Sequence, residues 1–282
     1  MLIACNLRKN IIAQIMLFDT HCHLNYHNND ELKDIINNAK QAGLGYVMQA
    51  GTNIEDINRE IEICKLFTDN SIQVFCALAK HPEHLKDGII PKKAELKNIV
   101  NFDKTHIKAI GETGLDTHIQ ENELFFQQQI ESLEVHIETA IETNMPVIIH
   151  SRGDVAVRKS IEILQHYQKN NKYNIKAVYH SYTGSVADAK NILDNGFYIS
   201  FSGIATFKNG NEVRDVVKIT PIENMFVETD APFLAPTPMR GKQNQTGYVY
   251  YVAECLSNFL QIDFDIFCNT TTNNAKKFFN II

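Results

Sequence analysis

A chain of 282 residues, 44 % of them hydrophobic, can bury one large core, and length alone admits one domain or two. Its 27 basic and 33 acidic residues give a formal charge of -6, which excludes a broad basic surface holding a polyanion by counterion release; a nucleic acid would have to be gripped locally. The 6 cysteines are scattered without CxxC or zinc-finger spacing, and no stretch reaches the roughly 18 apolar residues of a membrane span, so a reducing, cytoplasmic setting without a membrane anchor is expected.

The first residues, "LIAC" among them, superficially look like a lipoprotein box, but no charged segment and apolar run precede them and no signal peptide is expected. The run "IMLFDTH" is followed by "DELKDIINNAKQAG", where Leu32, Ile35, Ile36, Ala39 and Ala42 share one helical face, Asp30 can cap the start and Gly43 can stop the end. "GYVMQAG" then leads into Ile54, Ile57, Ile61 and Cys64 at helical spacing. Further runs at "IQVFCAL", "IKAIGE", "MPVIIH", "IKAVYH", "GFYISF" and "NMFVETD" bring the total to eight. Helical patterns cover 124–143, 155–167, 186–193, 213–219 and 249–260, with another within 264–282; Ser185 and Asp188 have the spacing of a capping box. The longer connection "HPEHLKDGIIPKKAELKNIV" is expected to pack over one end of the fold.

Short apolar runs alternating with helices read as parallel strands buried on both faces. Eight such units predict an α/β fold, a (β/α)8 TIM barrel of about 250 residues with its chemistry at the carboxyl ends of the strands. The rival, an open doubly wound sheet, needs a glycine-rich phosphate loop after the first strand, and "DTHCHLNYH" is nothing like one. The absence of a Pro/Gly/Ser linker favours a single barrel domain over 16–282, preceded by an extension over 1–15.

In an extended strand His21 and His23 point the same way and Cys22 the other, and Asp19 shares the histidine face, where its carboxylate can fix the tautomer of an imidazole. Alone, two histidines at this spacing are as readily a surface or cap pair. Other runs also end in ligand types: Glu112, His150, His180, and Glu228 with Asp230. One pocket accounts for all of them. The assignment is one metal held by His21, His23, Glu112 and Asp230 and a second by Glu112, His150 and His180, with Glu112 as the bridge. Two divalent ions against these carboxylates leave the site locally positive, able to hold a phosphodiester on an acidic protein. Imidazole-rich ligation suits Zn, Mn or Co better than Mg.

Asp230 can also take a proton from the attacking nucleophile, so Asp230 and Glu112 are the catalytic candidates. Glu228 reads as an anchor behind a ligand or as a barrel-end carboxylate in a salt bridge. Arg152, Lys208, Arg240 and Lys242 follow strand-end motifs or lie in the last large loop, as phosphate contacts or as solvated cations. His81, His118 and Tyr182 are candidates for the mouth, where a Tyr or His can stack on a base.

The stretches "FDTHCHL", "IGETGLD", "MPVIIHSR", "HSYTGS", "YISFSGIATFK", "VETDAPFLAP" and "RGKQN", in that order from Phe18 to Asn244, with "TTNNAKKFF" near the end, resemble the TatD family of metal-dependent deoxyribonucleases among the amidohydrolase-like barrels. The resemblance implies a TIM-type barrel, one or two divalent metals, and hydrolysis of DNA phosphodiesters, often as a 3'-5' exonuclease on DNA or oligonucleotide ends. Its metal-binding positions fall on His21, His23, Glu112, His150, His180 and Asp230, and its activity is usually described with magnesium. The family commonly begins near Met16, which makes Met16 the expected initiator. It commonly has a glycine-containing turn where this chain reads "ALAKHP" and Glu-Pro where it reads "QNQTGY" after Asn244; both bear on substrate range more than on the metal core. A monomer with no obligate protein partner is expected. The alternatives are an amide, lactone or small-phosphodiester hydrolase of the same barrel type and a non-catalytic metal-containing scaffold. The lactone and amide enzymes commonly bridge their metals with a carboxylated lysine where this chain has Glu112, and a scaffold has no use for the full ligand set.

Overall fold

The computed structural model describes residues 16–119, 122–171 and 174–281; the extension expected over 1–15 lies outside the described residues. Eight strands form one parallel sheet in sequence order: β1 Leu17–Cys22, β2 Leu44–Gln49, β3 Gln73–Leu78, β4 Ile107–Asp116, β5 Val147–Arg152, β6 Ala177–Tyr179, β7 Tyr198–Phe201 and β8 Met225–Val227. The helices α1 Asn29–Gln41, α2 Ile57–Phe67, α3 Lys93–Phe102, α4 Glu123–Thr143, α5 Asp154–Asn171, α6 Val186–Asp194 and α7 Asn211–Ile219 connect successive strands, and α8 Val249–Leu260 and α9 Phe264–Phe278 complete the chain. This is the (β/α)8 barrel read from the sequence.

Closure between β8 and β1 is made just beyond the ends of the two strands. Cys22 bridges Ala231 in parallel, His23 N–H donates to the Ala231 carbonyl at 2.7 Å, and Asp230 N–H donates to the His21 carbonyl at 2.9 Å. Lower down, the Thr20 hydroxyl donates to the Val227 carbonyl at 3.1 Å. Backbone groups that a sheet edge would leave unpaired are thereby satisfied.

Alternate strand residues serve two apolar layers. Leu17, Val47, Val74, Ile149 and Ile199 face the surrounding helices, whereas Phe18, Met48, Phe75, Ile148, Val178 and Phe226 fill the barrel. The amino-terminal end of the barrel is plugged from α9: the Phe279 ring lies 5.8 Å from Phe18 and the Phe278 ring 5.2 Å from Phe226. No helix among the described residues is long and apolar enough to cross a membrane.

One local expectation is corrected, the cap of α1, and one connection is filled in. The connection after His81 begins as a 3-10 turn, Pro82–Asp87, and continues as α3, the crossover helix between β3 and β4. Leu96 and Val100, four residues apart, bury its inner face, and Lys93 pairs with Glu138 and Glu142 of α4 at 2.8 and 2.9 Å. The cap of α1 is Asn28, in extended conformation, whose side chain accepts from the amides of Asp30 and Glu31 while Glu31 returns the bond; Asp30 is already helical.

His136 of α4 is fully buried and uses both ring nitrogens as a neutral imidazole. Nδ1–H donates to the Ser132 carbonyl at 2.7 Å and Nε2 accepts the Lys80 amide at 3.1 Å, which pins the chain one residue before His81. Burial holds its pKa down at about 4, against an ordinary 6.5. The unfolded chain therefore takes up a proton on this ring as the pH falls below 6.5 while the folded chain does not. The expected outcome is a stability contribution fully present above 6.5 and lost progressively towards pH 4, on the order of 3 kcal/mol in all. Urea unfolding across that window should show a shallower pH slope for His136→Gln than for the parent; equal slopes would remove His136 from the account.

Candidate metal centre

The end of β1 carries His21 and His23, and both are fixed through their backbones by the hydrogen bonds that close the barrel. Across the seam Asp230 adopts φ 56, a left-handed conformation that Asp tolerates better than most side chains, and its carbonyl accepts the Phe233 amide at 2.9 Å. Such a conformation persists where the surroundings over-determine it, and it directs the Asp230 carboxylate back over the barrel. On the opposite side, Gly114 of β4 pairs with His150 of β5 at φ 153, where a Cβ would run into the His150 carbonyl. Glycine thus permits the close approach that sets Glu112 beside His150.

Glu112 stands at the centre, 4 % exposed, with its amide donating to the Gly51 carbonyl at 2.7 Å. Its two oxygens face different partners. Oε2 lies 3.2 Å from His21 Nε2 and 3.8 Å from His23 Nε2. Oε1 lies 2.7 Å from His150 Nδ1, 2.8 Å from His180 Nε2 and 3.4 Å from His81 Nε2. Asp230 Oδ1 completes the first side, 3.3 Å from His23 Nε2 and 3.8 Å from His21 Nε2. The His21 and His180 rings stack at 4.0 Å across the two sides.

These side chains, with Glu228, form three groups capable of coordinating divalent ions, two of which share His21. The ligand atoms of His21, His23 and Asp230 lie within 4.8 Å of one another, as do those of His81, Glu112 and His150 and those of His21, His180 and Glu228. Both ring nitrogens of His21 are buried without a hydrogen-bond partner. A buried imidazole with an orphaned Nε2 beside two carboxylates fits a cation between them, and a donor set of imidazole and carboxylate fits a pair of divalent metals.

The electrostatics of the metal-free chain follow from this crowding. Burial pushes the Glu112 carboxyl up, but the charges of His180, His81 and His21 and the hydrogen bond from His150 prevail and hold it well below the usual carboxylate range. Burial lowers His180 too, yet Glu112 and Glu228 raise it well above an ordinary histidine. His21, where burial dominates, is lowered. Asp230 is also buried, and contacts with His23, His21 and His180 keep its carboxyl low.

The other expected residues divide. Glu228 is buried with Oε1 3.3 Å from His180 Nδ1, behind that ring. Asp19, expected to hold an imidazole, instead accepts from the Thr229 amide at 2.8 Å and the Thr229 hydroxyl at 2.6 Å. The strict alternation that put it on the histidine face is broken by a register shift between Asp19 and Cys22. Burial raises its pKa to about 7. Arg152 lines a cavity of about 260 Å³ whose wall includes His150, His180, Asp230 and Phe233. Lys208 and Lys242 are exposed outside that wall, and the Arg240 guanidinium sits 3.8 Å over the Phe207 ring. Tyr182, expected at the mouth, is 2 % exposed, its hydroxyl donating to the Ser185 carbonyl at 3.0 Å; Gly184 leaves the room it occupies. His118 is exposed, its amide donating to Asp116 Oδ1 at 2.7 Å. His81 does reach the site. Its Nδ1 accepts the Glu83 amide at 3.1 Å, so in a neutral ring Nε2 carries the proton and faces Glu112 as a donor.

Sequence reasoning missed Asp116. Its Oδ2 lies 3.1 Å from His150 Nε2, and Gln129 fixes it by accepting its amide at 2.7 Å. Asp116 thereby favours a proton on Nε2, so that Nδ1, which faces Glu112 and His180, is the nitrogen that becomes free for a cation once it gives up its own proton. The signal was present in "GETGLD": residues 112, 114 and 116 recur with the strand period.

A parallel eight-stranded barrel with imidazole and carboxylate ligands gathered at its carboxyl end defines a metal-dependent hydrolase. The sequence model for TatD related DNase matches residues 18–280. The chain is 34 % identical over 267 residues to the uncharacterized metal-dependent hydrolase YabD of Bacillus subtilis strain 168, covering 94 % of this chain and 100 % of that one. It is 36 % identical over 280 residues to the uncharacterized metal-dependent hydrolase BU355 of Buchnera aphidicola, covering 95 % and 100 %. The crystal structure of YjjV, a TatD homologue from Escherichia coli K12, shares the fold at a TM-score of 0.83 and 24 % identity, covering 94 % of this chain and 98 % of that one. The chain belongs to the TatD family.

Removing the partner of His150 should loosen one half of the centre. Asp116→Ala is expected to weaken binding of the second metal roughly 10- to 100-fold while the first binds as before, with partial recovery in Asp116→Asn, whose amide oxygen still accepts. Calorimetric titration of metal-stripped protein with Mn and Zn reads both steps, and an unchanged second step would contradict the role.

Proposed function

We propose that this TatD-family hydrolase is a phosphodiesterase acting on DNA, degrading oligonucleotide ends in the 3'-5' direction. The observation that carries the reading is Glu112, a single carboxylate whose two oxygens face two separate ligand groups, with Arg152 on the wall of the adjoining cavity. Bound divalent ions would supply Lewis acidity towards phosphoryl oxygens and favour deprotonation of water at neutral pH. His21, His23 and Asp230 would hold one ion, His150 and His180 the other, and Glu112 both.

The remaining chemistry belongs to the side chains. Asp230 is kept ionised by its histidine neighbours and can accept the proton released when water attacks phosphorus, the P–O bond to the 3'-oxygen breaking and that oxygen leaving as a hydroxyl once it takes up a proton. Arg152 offers paired N–H donors to a neighbouring phosphate, and His81 Nε2–H can donate to an oxygen of the reacting group. Glu228 behind His180 and Asp116 behind His150 keep the two rings in orientation. Glu112 in place of a lysine at the centre weighs against the amide and lactone alternatives. A cytoplasmic setting is in keeping with the cysteines Cys22, Cys64, Cys76, Cys255 and Cys268, which are free among the described residues, and a monomer with no obligate protein partner is part of the same proposal.

Treatment with chelator should abolish degradation of a labelled oligonucleotide, and Mn or Mg should restore it. Asp230→Ala should lower kcat roughly a hundred- to ten-thousand-fold with the fold intact by circular dichroism. Product ladders from 5'-labelled and 3'-labelled strands test the direction. Full, chelator-resistant activity in the variant would refute the proposal.

A further inference from the structure

Two half-exposed aromatic rings stand side by side on the rim of the metal centre. Tyr26 comes from the 3-10 turn Leu24–Tyr26 that directly follows β1, and Phe233 from the loop after β8, so the closing seam of the barrel brings them together. Their ring centroids lie 6.0 Å apart at 77°. Both rest against the imidazole of His23, Tyr26 at 5.5 Å and nearly parallel, Phe233 at 6.1 Å and closer to edge-on. Tyr26 is 53 % exposed and Phe233 52 %, whereas His23 between them is 4 % exposed.

This exposure is not slack. The Phe233 amide donates to the Asp230 carbonyl at 2.9 Å, and its own carbonyl accepts from Asn244 Nδ2 at 2.5 Å. The Tyr26 turn is closed by the His27 amide donating to the Leu24 carbonyl at 3.0 Å. Phe233 also belongs to the wall of the cavity that holds His150, His180 and Arg152. One face of the pair therefore borders the place where the reacting group would sit, and the rest is open to water.

We propose that Tyr26 and Phe233 form a shelf that receives the nucleobase of the nucleotide whose phosphodiester lies at the metal centre. The inference rests on the phosphodiester reading of that centre and adds its substrate class: a unit with a planar heteroaromatic ring one sugar away from the reacting phosphorus. Water-exposed aromatic area held rigid beside an anion-binding centre gains by stacking, and stacking is indifferent to which base is presented. The shelf supplies grip where the acidic chain has little positive surface to offer.

The test uses the full, metal-loaded chain and an oligonucleotide with phosphorothioate terminal linkages that resist cleavage. One form carries a terminal 2-aminopurine, whose fluorescence is quenched on stacking, and the other a tetrahydrofuran residue lacking the base. Unaltered protein should quench the 2-aminopurine and bind the abasic form roughly ten-fold more weakly. Tyr26→Ala/Phe233→Ala should abolish the quenching and bind both forms alike, with metal content unchanged by elemental analysis. Quenching that survives in the double variant, or equal affinity of the unaltered protein for the two forms, overturns the shelf. Cleavage of an unmodified oligonucleotide is scored separately, so that loss of the nuclease reading and loss of the shelf appear as different results.

Discussion

The closure of the barrel between β8 and β1 is the constraint on which the rest depends. A parallel sheet with an open edge would leave amides and carbonyls unpaired at the strand ends, where side chains must be held most exactly for chemistry. Here the closing bonds are made by the backbones of His21, His23, Asp230 and Ala231 themselves. Asp19 adds a buried carboxylate that takes both the amide and the hydroxyl of Thr229. Fold closure and ligand placement are one event: ligands from opposite ends of the sequence reach each other only when the ring is complete.

Glu112 carries the electrostatic side of the same constraint. A carboxylate 4 % exposed would be strongly disfavoured alone, and four histidines, His21, His81, His150 and His180, crowd around it. The Glu112 carboxylate raises His150 and His180, which favours protons on those two rings, while burial lowers His21 and His81. Divalent ions would replace those protons, so metal uptake and proton release are coupled.

The barrel was legible because each strand is buried on both faces, and runs such as "MPVIIH" and "NMFVETD" state that directly. Its ligands were legible because they sit where such runs stop. The segment holding α3 hid its helix: Leu96 and Val100 are a sparse stripe among lysines, and the helix leans on α4 through ion pairs as well as core contacts. Asp19 was misplaced because alternation presumes a regular strand, and β1 is irregular where it matters. Tyr182 follows a ligand in a loop-like motif, yet Gly184 makes a slot that draws it inside. Tyr26 and Phe233 could not be told from core aromatics, since exposure is set by three-dimensional closure and leaves no trace in local pattern.

The placement of the cations limits how a polyanion could be held. Of the four candidate phosphate contacts, Arg152 alone lines the cavity beside the centre, and Arg240 is stacked on Phe207. Lys208 and Lys242 stand outside that wall. With a chain charge of -6 there is no net attraction to draw in a long duplex, so attraction would be local to one mouth. Binding of that kind favours a strand end that enters the mouth over an internal segment that must cross the whole face. On the proposed phosphodiesterase reading it would also release the product after each encounter, since few contacts would persist once the phosphodiester at the centre was cleaved. Bound metal ions, one arginine and a pair of aromatic rings would on that reading suit an enzyme that trims ends distributively.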